Sequence, residues 1–147
     1  MAETLAKSHY PSWIIESAGS APTGDVDPLA KIIVQEVGLD IDMPAQQVNL
    51  LPLETYDLII TLCADEDICP LLPHKVKDRV LHMPFEDPSL NSHDEPYEAL
   101  IARYRRIRNQ IDDFCKTLEH HLMKAQKATT KKSRHDLLST KKNWSED

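Results

Sequence analysis

The chain has 147 residues, of which 41% are hydrophobic and 28% are charged, a composition that suits one domain with a buried core. No apolar run is long enough to cross a membrane, and no signal peptide is predicted because a basic and then apolar start is missing. The three cysteines are an odd number, which argues against a secreted disulfide framework and favours a reducing, cytoplasmic compartment.

The net charge of −7 is unevenly distributed along the chain. From residue 124 onward, seven Lys and Arg residues stand against three Asp and Glu residues, so residues 1–123 carry a net charge of −11. Because such an acidic body repels phosphates, nucleic-acid binding is not predicted. We therefore divide the chain into a domain over residues 1–123 and a basic extension over residues 124–147, either helical or disordered. The extension either contacts an acidic surface or remains solvated.

The N-terminal residues predict a short helix followed by a strand. Apolar Leu5 and Ala6 face inward from a helix over residues 2–10, and Pro11 ends it. Residues 12–18 are rich in apolar side chains, which favours a strand.

A second helix is predicted to begin at Asp27, whose carboxylate can cap it, with Pro28 in the first helical position. Gly38 ends this helix. Residues 48–51 form a short strand in one interpretation. Four apolar residues at helical spacing mark the inner face of the helix: Leu29, Ile32, Ile33 and Val37.

The middle of the chain predicts two more strands. Residues 56–62 are mostly β-branched or apolar and favour a buried strand, and residues 80–83 favour the next one. Between them, Pro70 and Pro73 argue against a regular helix over residues 71–78. Strands that alternate with helices indicate an α/β fold with a parallel sheet.

One long helix is predicted near the C-terminus. Ser92 and Glu95 have the spacing of a capping box, with Pro96 in the first turn. Tyr97 is interpreted as a packing residue, and residues 131–147 are expected to be frayed or disordered. The helix carries one continuous apolar stripe: Leu100, Tyr104, Ile107, Ile111, Phe114 or Cys115, Leu118 and Leu122.

Two cysteines lie where a parallel sheet usually places its chemistry. Cys63 follows the strand over residues 56–62, and sites in open α/β sheets gather beyond the carboxyl ends of strands. Cys69 is close enough in sequence to form a disulfide with Cys63 if the intervening loop folds on itself. The alternative is a pair of buried, unreactive cysteines. Three acidic residues disfavour a thiolate unless a positive group is near: Asp65, Glu66 and Asp67.

Three other residues are candidates for a functional role: Asp87, Cys115 and His74. Asp87 precedes Pro88 after a strand, and it is either a general acid or a turn residue that caps its own backbone. Cys115 lies on the apolar stripe and is expected in the core. A zinc site built from Cys63, Cys69 and His74 is not predicted because the cysteine spacing is too wide. We predict no metal and no cofactor.

Several motifs, in the same order, resemble those of thioredoxin-coupled arsenate reductases, which share the fold of low-molecular-weight protein tyrosine phosphatases. The similarity extends from Met1 to about Leu118. It implies a phosphotyrosine phosphatase I-like fold, with a parallel sheet flanked by helices and a long C-terminal helix. The motifs are TLC at 61–63 with CP at 69–70, SAG at 17–19, GLDI at 38–41 and VLHMPFEDP at 80–88.

The resemblance implies reduction of arsenate to arsenite by a cysteine relay. A nucleophilic cysteine attacks arsenate, a second thiol attacks the nucleophile, and a third closes a disulfide that a thioredoxin-like reductant reopens. By this resemblance Cys63 is the second thiol and Cys69 the third. In the phosphatase branch, the general acid is an aspartate before proline, which corresponds to Asp87.

By this resemblance, Met1 corresponds to a position inside the family's sequence. In the family, the first strand and the anion-binding loop come before that position. The loop holds the nucleophilic cysteine and a nearby arginine. The chain as printed is therefore expected to be inactive and to bind an arsenate or phosphate-type oxyanion only if that loop is supplied. Without the first strand, residues 13–18 would lose their main partner, at about 1–3 kcal/mol for each unpaired buried group. Either the enzyme is longer, or the sheet is paired in another way.

Two other functions stay open. The first is a non-catalytic phosphatase-fold module that binds a partner or acts as a redox switch through Cys63 and Cys69, with a homodimer as one arrangement. The second, which we rank lower, is a relative of the protein tyrosine phosphatases.

Overall fold

The structure is a computed structural model that describes residues 1–22, 24–63 and 72–142. The described residues form four α-helices: α1 (Ala2–His9), α2 (Pro28–Gln35), α3 (Tyr97–Cys115) and α4 (Leu118–Lys142). Within the same ranges there are two strands, β1 (Ile59–Thr61) and β2 (Val80–His82). Short 3₁₀ helices occupy Val48–Leu50, Leu53–Thr55 and His74–Arg79.

The two strands are parallel neighbours, which confirms the predicted sheet type. Ile59 pairs with Val80 and Thr61 with His82. The pairing continues beyond the strands, because the backbone N–H of Met83 donates to the carbonyl of Thr61 at 2.9 Å. Parallel strands flanked by helices, with a long C-terminal helix, confirm the α/β class.

The core lies between the sheet and the helices. Leu5 of α1 and Ile107 of α3 are 2% and 1% exposed, and both belong to the main apolar cluster. From the sheet, Ile60 and Leu81 pack against the same cluster. A second cluster joins α2 to α3 around Ile33, which is fully buried. The inward positions predicted for α1 are therefore confirmed.

The strand predicted over residues 12–18 is wrong. Within the described ranges those residues make no backbone ladder, and the only pairing nearby is an isolated bridge between Gly19 and Gln47. No described strand lies beside them to complete their hydrogen bonds. Ile15 still packs against the main cluster, but Ile14 is 86% exposed. An apolar run alone does not make a strand when its partner is missing.

Two connections differ from their predictions. Residues 48–51 do not form a strand, because Val48–Leu50 is a 3₁₀ turn. The described residues 72–78 contain no regular α-helix, as predicted, but they are not all loop, because His74–Arg79 is a 3₁₀ helix with Pro73 directly before it. Proline is tolerated there because the first turn does not use its backbone N–H. Val76 on this turn is fully buried, which anchors it.

The α2 helix begins as predicted but buries a narrower face. The Asp27 Oδ1 accepts a 2.9 Å hydrogen bond from the backbone N–H of Leu29, which confirms the cap. Ile32 and Val37 are 45% and 47% exposed, contrary to the predicted inner face. The helix packs mainly on α3, so only one side of it is covered. The buried residues are Ala30, Ile33 and Val34.

The predicted C-terminal helix differs from the structure at both ends and in the middle. The capping box is wrong, since α3 begins after Pro96 without a side-chain cap. Tyr97 is 63% exposed and is not a packing residue. The helix is interrupted near Thr117, whose backbone N–H donates to the carbonyl of Phe114, three residues earlier, at 2.9 Å. The α4 helix then continues to Lys142, beyond the expected fraying.

Candidate functional site

Cys63 lies just past the carboxyl end of β1 and is an exposed, free thiol. The alternative of a buried Cys63 is therefore wrong, while the reactivity of its thiol stays a prediction. Cys69 falls outside the residues that the structure describes, so its distance from Cys63 and the predicted pairing stay untested. The exposed position suits a thiol that must reach another sulfur atom.

A cross-strand hydrogen bond fixes the sheet immediately before Cys63. The Oγ1 of Thr61 lies 2.7 Å from the Nδ1 of His82, which is its partner in the strand register. Thr61 is 9% exposed, so its hydroxyl is satisfied inside the sheet layer. This contact holds the two strands together where the cysteine-bearing segment leaves the sheet.

Asp87 lies in the loop between β2 and α3, residues 83–96, which we name the Asp87 loop. Its Oδ1 accepts hydrogen bonds from the backbone N–H of Ser89 at 2.9 Å and from the Ser89 hydroxyl at 2.7 Å. Its side chain thus closes a turn of its own backbone, as one of the two interpretations predicted. Asp87 is also exposed, so its carboxyl can still be reached from solvent.

Two arginines of α3 hold the Asp87 loop in place. The guanidinium of Arg103 donates to the carboxylate of Glu95 at 2.8 Å and to the carbonyl of Leu90 at 2.9 Å. Arg106 donates to Glu86 at 2.9 Å. The side chain of Arg103 is only 12% exposed, and its contact with Glu95 is partly buried, whereas its contact with Leu90 is exposed. Glu86 and Glu95 of the loop are therefore partners of α3.

These arginines are not among the site residues predicted from the sequence. A signal was available, because four arginines occur within six residues on one helix of an acidic chain. Such a cluster indicates acidic partners nearby. The remaining two arginines, Arg105 and Arg108, both pair with Glu36 after α2.

Asp27 and Tyr104 form a second arrangement that the sequence did not reveal. Besides capping α2, Asp27 accepts a hydrogen bond from the hydroxyl of Tyr104 through its Oδ2. Tyr104 is 1% exposed, which confirms its predicted packing role. Burial raises the pKa of Tyr104 well above its usual value, and the hydrogen bond and charge of Asp27 add to this. The negative charge of Asp87 contributes in the same direction.

Cys115 differs sharply from Cys63. It is 2% exposed in the main apolar cluster, which confirms its predicted place in the core. Burial raises the pKa of its thiol to about 11, and the charge of Asp112 adds to the effect. A buried, protonated thiol cannot act as a nucleophile at neutral pH.

A cleft of about 490 Å³ opens at the start of α1. Its lining includes the carboxylates of Glu3, Asp40 and Asp42, with Lys7 as a basic residue on the same wall. This acidic lining disfavours an oxyanion. Within the described ranges, no group of three or more His, Cys, Asp or Glu side chains could hold a metal ion. The helices of the described part are all too short or too polar to span a bilayer.

Two comparisons with known proteins identify the family of this chain. The sequence profile of the low molecular weight phosphotyrosine protein phosphatase family matches residues 1–128. Arsenate reductase 1 of Staphylococcus haemolyticus (strain JCSC1435) is 35% identical over 101 residues, which is 67% of this chain and 68% of that protein.

Solved structures agree with this result. The arsenate reductase from Archaeoglobus fulgidus DSM 4304 superposes with a TM-score of 0.57 at 28% identity, covering 78% of this chain and 87% of that chain. A protein tyrosine phosphatase from Entamoeba histolytica superposes with a TM-score of 0.61 at 17% identity, covering 85% and 88%, and shares the fold. The predicted resemblance is confirmed: the chain belongs to the low molecular weight phosphotyrosine protein phosphatase family.

Proposed function

We propose that this chain carries the two-thiol part of an arsenate-reducing relay. The observation that supports this most is the exposed free thiol of Cys63 at the carboxyl end of β1, in a chain that is 35% identical to an arsenate reductase. Cys63 is the second thiol of the relay and Cys69 the third. A thioredoxin-like protein is the reductant, and the substrate is the oxyanion arsenate.

The electron balance of the relay defines each role. A nucleophilic cysteine first binds arsenic(V) through sulfur. The Cys63 thiolate then attacks that sulfur, an S–S bond forms, and the electron pair of the S–As bond stays on arsenic, which leaves as arsenite. Cys69 attacks the Cys63 sulfur, releases the nucleophile as a thiolate, and closes a Cys63–Cys69 disulfide. Two thiols of the thioredoxin-like reductant reduce this disulfide.

The relay needs a nucleophile that the described part of the chain does not supply. Cys115 is buried and protonated, and Cys63 has the second role. We propose that an anion-binding loop with its own cysteine completes the enzyme and that the chain alone does not reduce arsenate. In the completed enzyme, Asp87 is the acid that protonates a leaving oxygen. Its exposed carboxyl and its loop, which Arg103 and Arg106 hold against α3, support this role.

The test joins the anion-binding loop of an arsenate reductase to the N-terminal side of this chain. Thioredoxin-coupled arsenate reduction is expected in the joined protein, lost in Cys63→Ser and Cys69→Ser, and kept in Cys115→Ala. No arsenite from the folded joined protein, or full activity in Cys63→Ser, would contradict the proposal.

A redox switch without catalysis is the second candidate, and the exposed Cys63 favours it as well. In that case the chain as printed would fold and change its oligomeric state, for example to a homodimer, between reduced and oxidised forms. Sedimentation of both forms measures this directly. A phosphatase activity that Asp87→Asn abolishes and Cys63→Ser keeps would instead favour a tyrosine phosphatase relative.

A further inference from the structure

The Asp87 loop contains a residue with an unusual backbone conformation. Asn91 has a φ of 58°, in the left-handed region that residues other than glycine seldom adopt. Turns lie on both sides of it. The backbone N–H of Leu90 donates to the carbonyl of Asp87 at 3.4 Å, and the N–H of Asp94 donates to the carbonyl of Asn91 at 3.3 Å. A loop of this shape needs contacts from outside to keep one conformation.

Arg103 of α3 supplies such contacts. Its guanidinium donates to the carbonyl of Leu90 at 2.9 Å and to the carboxylate of Glu95 at 2.8 Å. These two acceptors stand on either side of Asn91 in the sequence, so one side chain holds both ends of the left-handed turn. The Nε–H of Arg103 is buried and has no acceptor among the described residues. The guanidinium therefore depends on the loop for its partners, and release of the loop would leave a largely buried charge unpaired.

A short path of hydrogen bonds leads from Arg103 to Asp87. The carbonyl of Leu90 accepts from Arg103, and the backbone N–H of the same Leu90 donates to the carbonyl of Asp87. The side chain of Asp87 closes the same turn, because its Oδ1 accepts from the N–H and the hydroxyl of Ser89. The position of Leu90 on α3 thus sets the position of the turn that carries the Asp87 carboxyl.

Arg106 makes a weaker contact with the loop. It donates to Glu86 at 2.9 Å, and the side chains of Arg106 and Glu86 are 54% and 48% exposed. An ion pair so open to water contributes little to holding a segment in place. Arg103, with two acceptors and a side chain that is mostly buried, is therefore the stronger of the two attachments.

We propose that Arg103 is a positioning residue for the acid chemistry of Asp87, because it holds the turn in the shape that presents this carboxyl. The inference rests on the acid role proposed above for Asp87. An acid must lie within hydrogen-bond reach of the atom that it protonates, and a small misplacement lowers the rate. The fork of a guanidinium reaches both loop acceptors at once, whereas lysine keeps the charge but lacks that fixed geometry.

The first experiment measures backbone order in the chain as it exists, by ¹⁵N NMR relaxation. In the wild type, the N–H groups of Ser89 and Leu90 are expected to have order parameters near the rigid value of about 0.85. Arg103→Lys and Arg103→Gln are expected to lower both by at least about 0.2, while the amides of α3 stay rigid and show that the variants are folded. Arg105→Lys is the matched control, since Arg105 pairs with Glu36 outside the loop.

The second experiment uses the joined protein described above and separates positioning from stability. Arg103→Lys is expected to lower kcat by about 10-fold or more and to change KM by less than about twofold. In an Asp87→Asn background the same substitution is expected to change kcat by less than about twofold, because the acid that it positions is gone. An equal loss in both backgrounds would assign the effect to the fold and contradict the inference.

A mobile turn in the wild type would also overturn the inference, as would unchanged order in both Arg103 variants or an equal loss of order in Arg105→Lys. The relaxation measurement uses neither arsenate nor thioredoxin. If the joined protein is inactive while Arg103→Lys still loosens the turn, the proposed function fails and the hold of Arg103 on the Asp87 turn stands. If the joined protein is active and the turn is unaffected, the inference alone fails.

Discussion

The helical layer and the sheet of this chain differ in how completely they are packed. In the helices, Leu5, Ile33 and Ile107 are between 0% and 2% exposed. In the described part of the sheet, two strands of three residues form the ladder, and the apolar segment over residues 12–18 leaves Ile14 86% exposed. Stability thus comes mainly from the helices, while the candidate chemical groups Cys63 and Asp87 are exposed and follow the carboxyl ends of β1 and β2.

The largest loss of stability should come from a truncated side chain in α3. Ile107→Ala is expected to lower the free energy of unfolding by about 3 kcal/mol, because it leaves a cavity in the main cluster. Ile14→Ala is the matched control and should change it by less than about 0.5 kcal/mol. Urea denaturation measures both values. Comparable losses in the two variants would mean that the segment around Ile14 is packed as fully as the helical core.

The two described cysteines should differ in how fast their thiols react. At pH 8 a thiol with a pKa of about 11 is almost entirely protonated, and Cys115 is also shielded from solvent. We expect iodoacetamide to modify Cys63 at least about 100-fold faster than Cys115. Peptide mass spectrometry of timed samples gives the two rates. Similar rates in the folded protein would show that the helical core opens readily.

A smaller loss of stability is expected when the hydrogen bond between α3 and the cap of α2 is removed. Tyr104→Phe keeps the ring in the core but removes the hydroxyl that donates to Asp27. The loss should lower the free energy of unfolding by about 1–2 kcal/mol, because one oxygen of Asp27 is left without its partner. Tyr97→Phe, on an exposed turn of the same helix, is the control. Equal stability of both variants would mean that solvent replaces the lost contact.

The smallest effect concerns the ion pair between α1 and α3. His9 Nε2 lies 2.7 Å from Asp112 Oδ1. Partial burial alone would raise the pKa of Asp112, but hydrogen bonds from His9 and Lys116 hold it below its usual value. The pair therefore stabilises the fold above the unfolded pKa of about 3.9, and this contribution is lost as pH falls through the lower folded value.

Asp112→Asn should accordingly cost about 0.5 kcal/mol at pH 5 and less near pH 2. Thermal unfolding at the two pH values, with Asp113→Asn as the exposed control, measures the difference. A loss that is as large at pH 2 as at pH 5 would assign the effect to packing of the side chain.

Local patterns predicted the parts of the fold that depend on local physics. The cap at Asp27, the inward side of α1 and the buried positions of α3 follow from spacing and capping, and all are confirmed. The strand over residues 12–18 depends on a neighbouring strand, which no local pattern supplies. The break in the long helix near Thr117 is also not shown by helical periodicity, because the apolar stripe continues across it.

For the candidate site, the sequence located residues but not their partners. The positions of Cys63 and Asp87 after strands follow from the motif order, and the structure places both after the strands as described. The contacts of Arg103 with Leu90 and of Tyr104 with Asp27 join residues 13 and 77 positions apart. Such contacts depend on how helices and loops pack. The division at residue 123 stays a prediction, since α4 crosses it.

Disulfide mapping of the oxidised chain tests the central claim most directly. The purified protein is equilibrated with oxidised and reduced glutathione, trapped by alkylation and mapped by peptide mass spectrometry. We predict a disulfide between Cys63 and Cys69 that thioredoxin reduces, with Cys115 as a free thiol throughout. A disulfide that includes Cys115, or no bond between Cys63 and Cys69 under any glutathione ratio, would contradict the proposed relay.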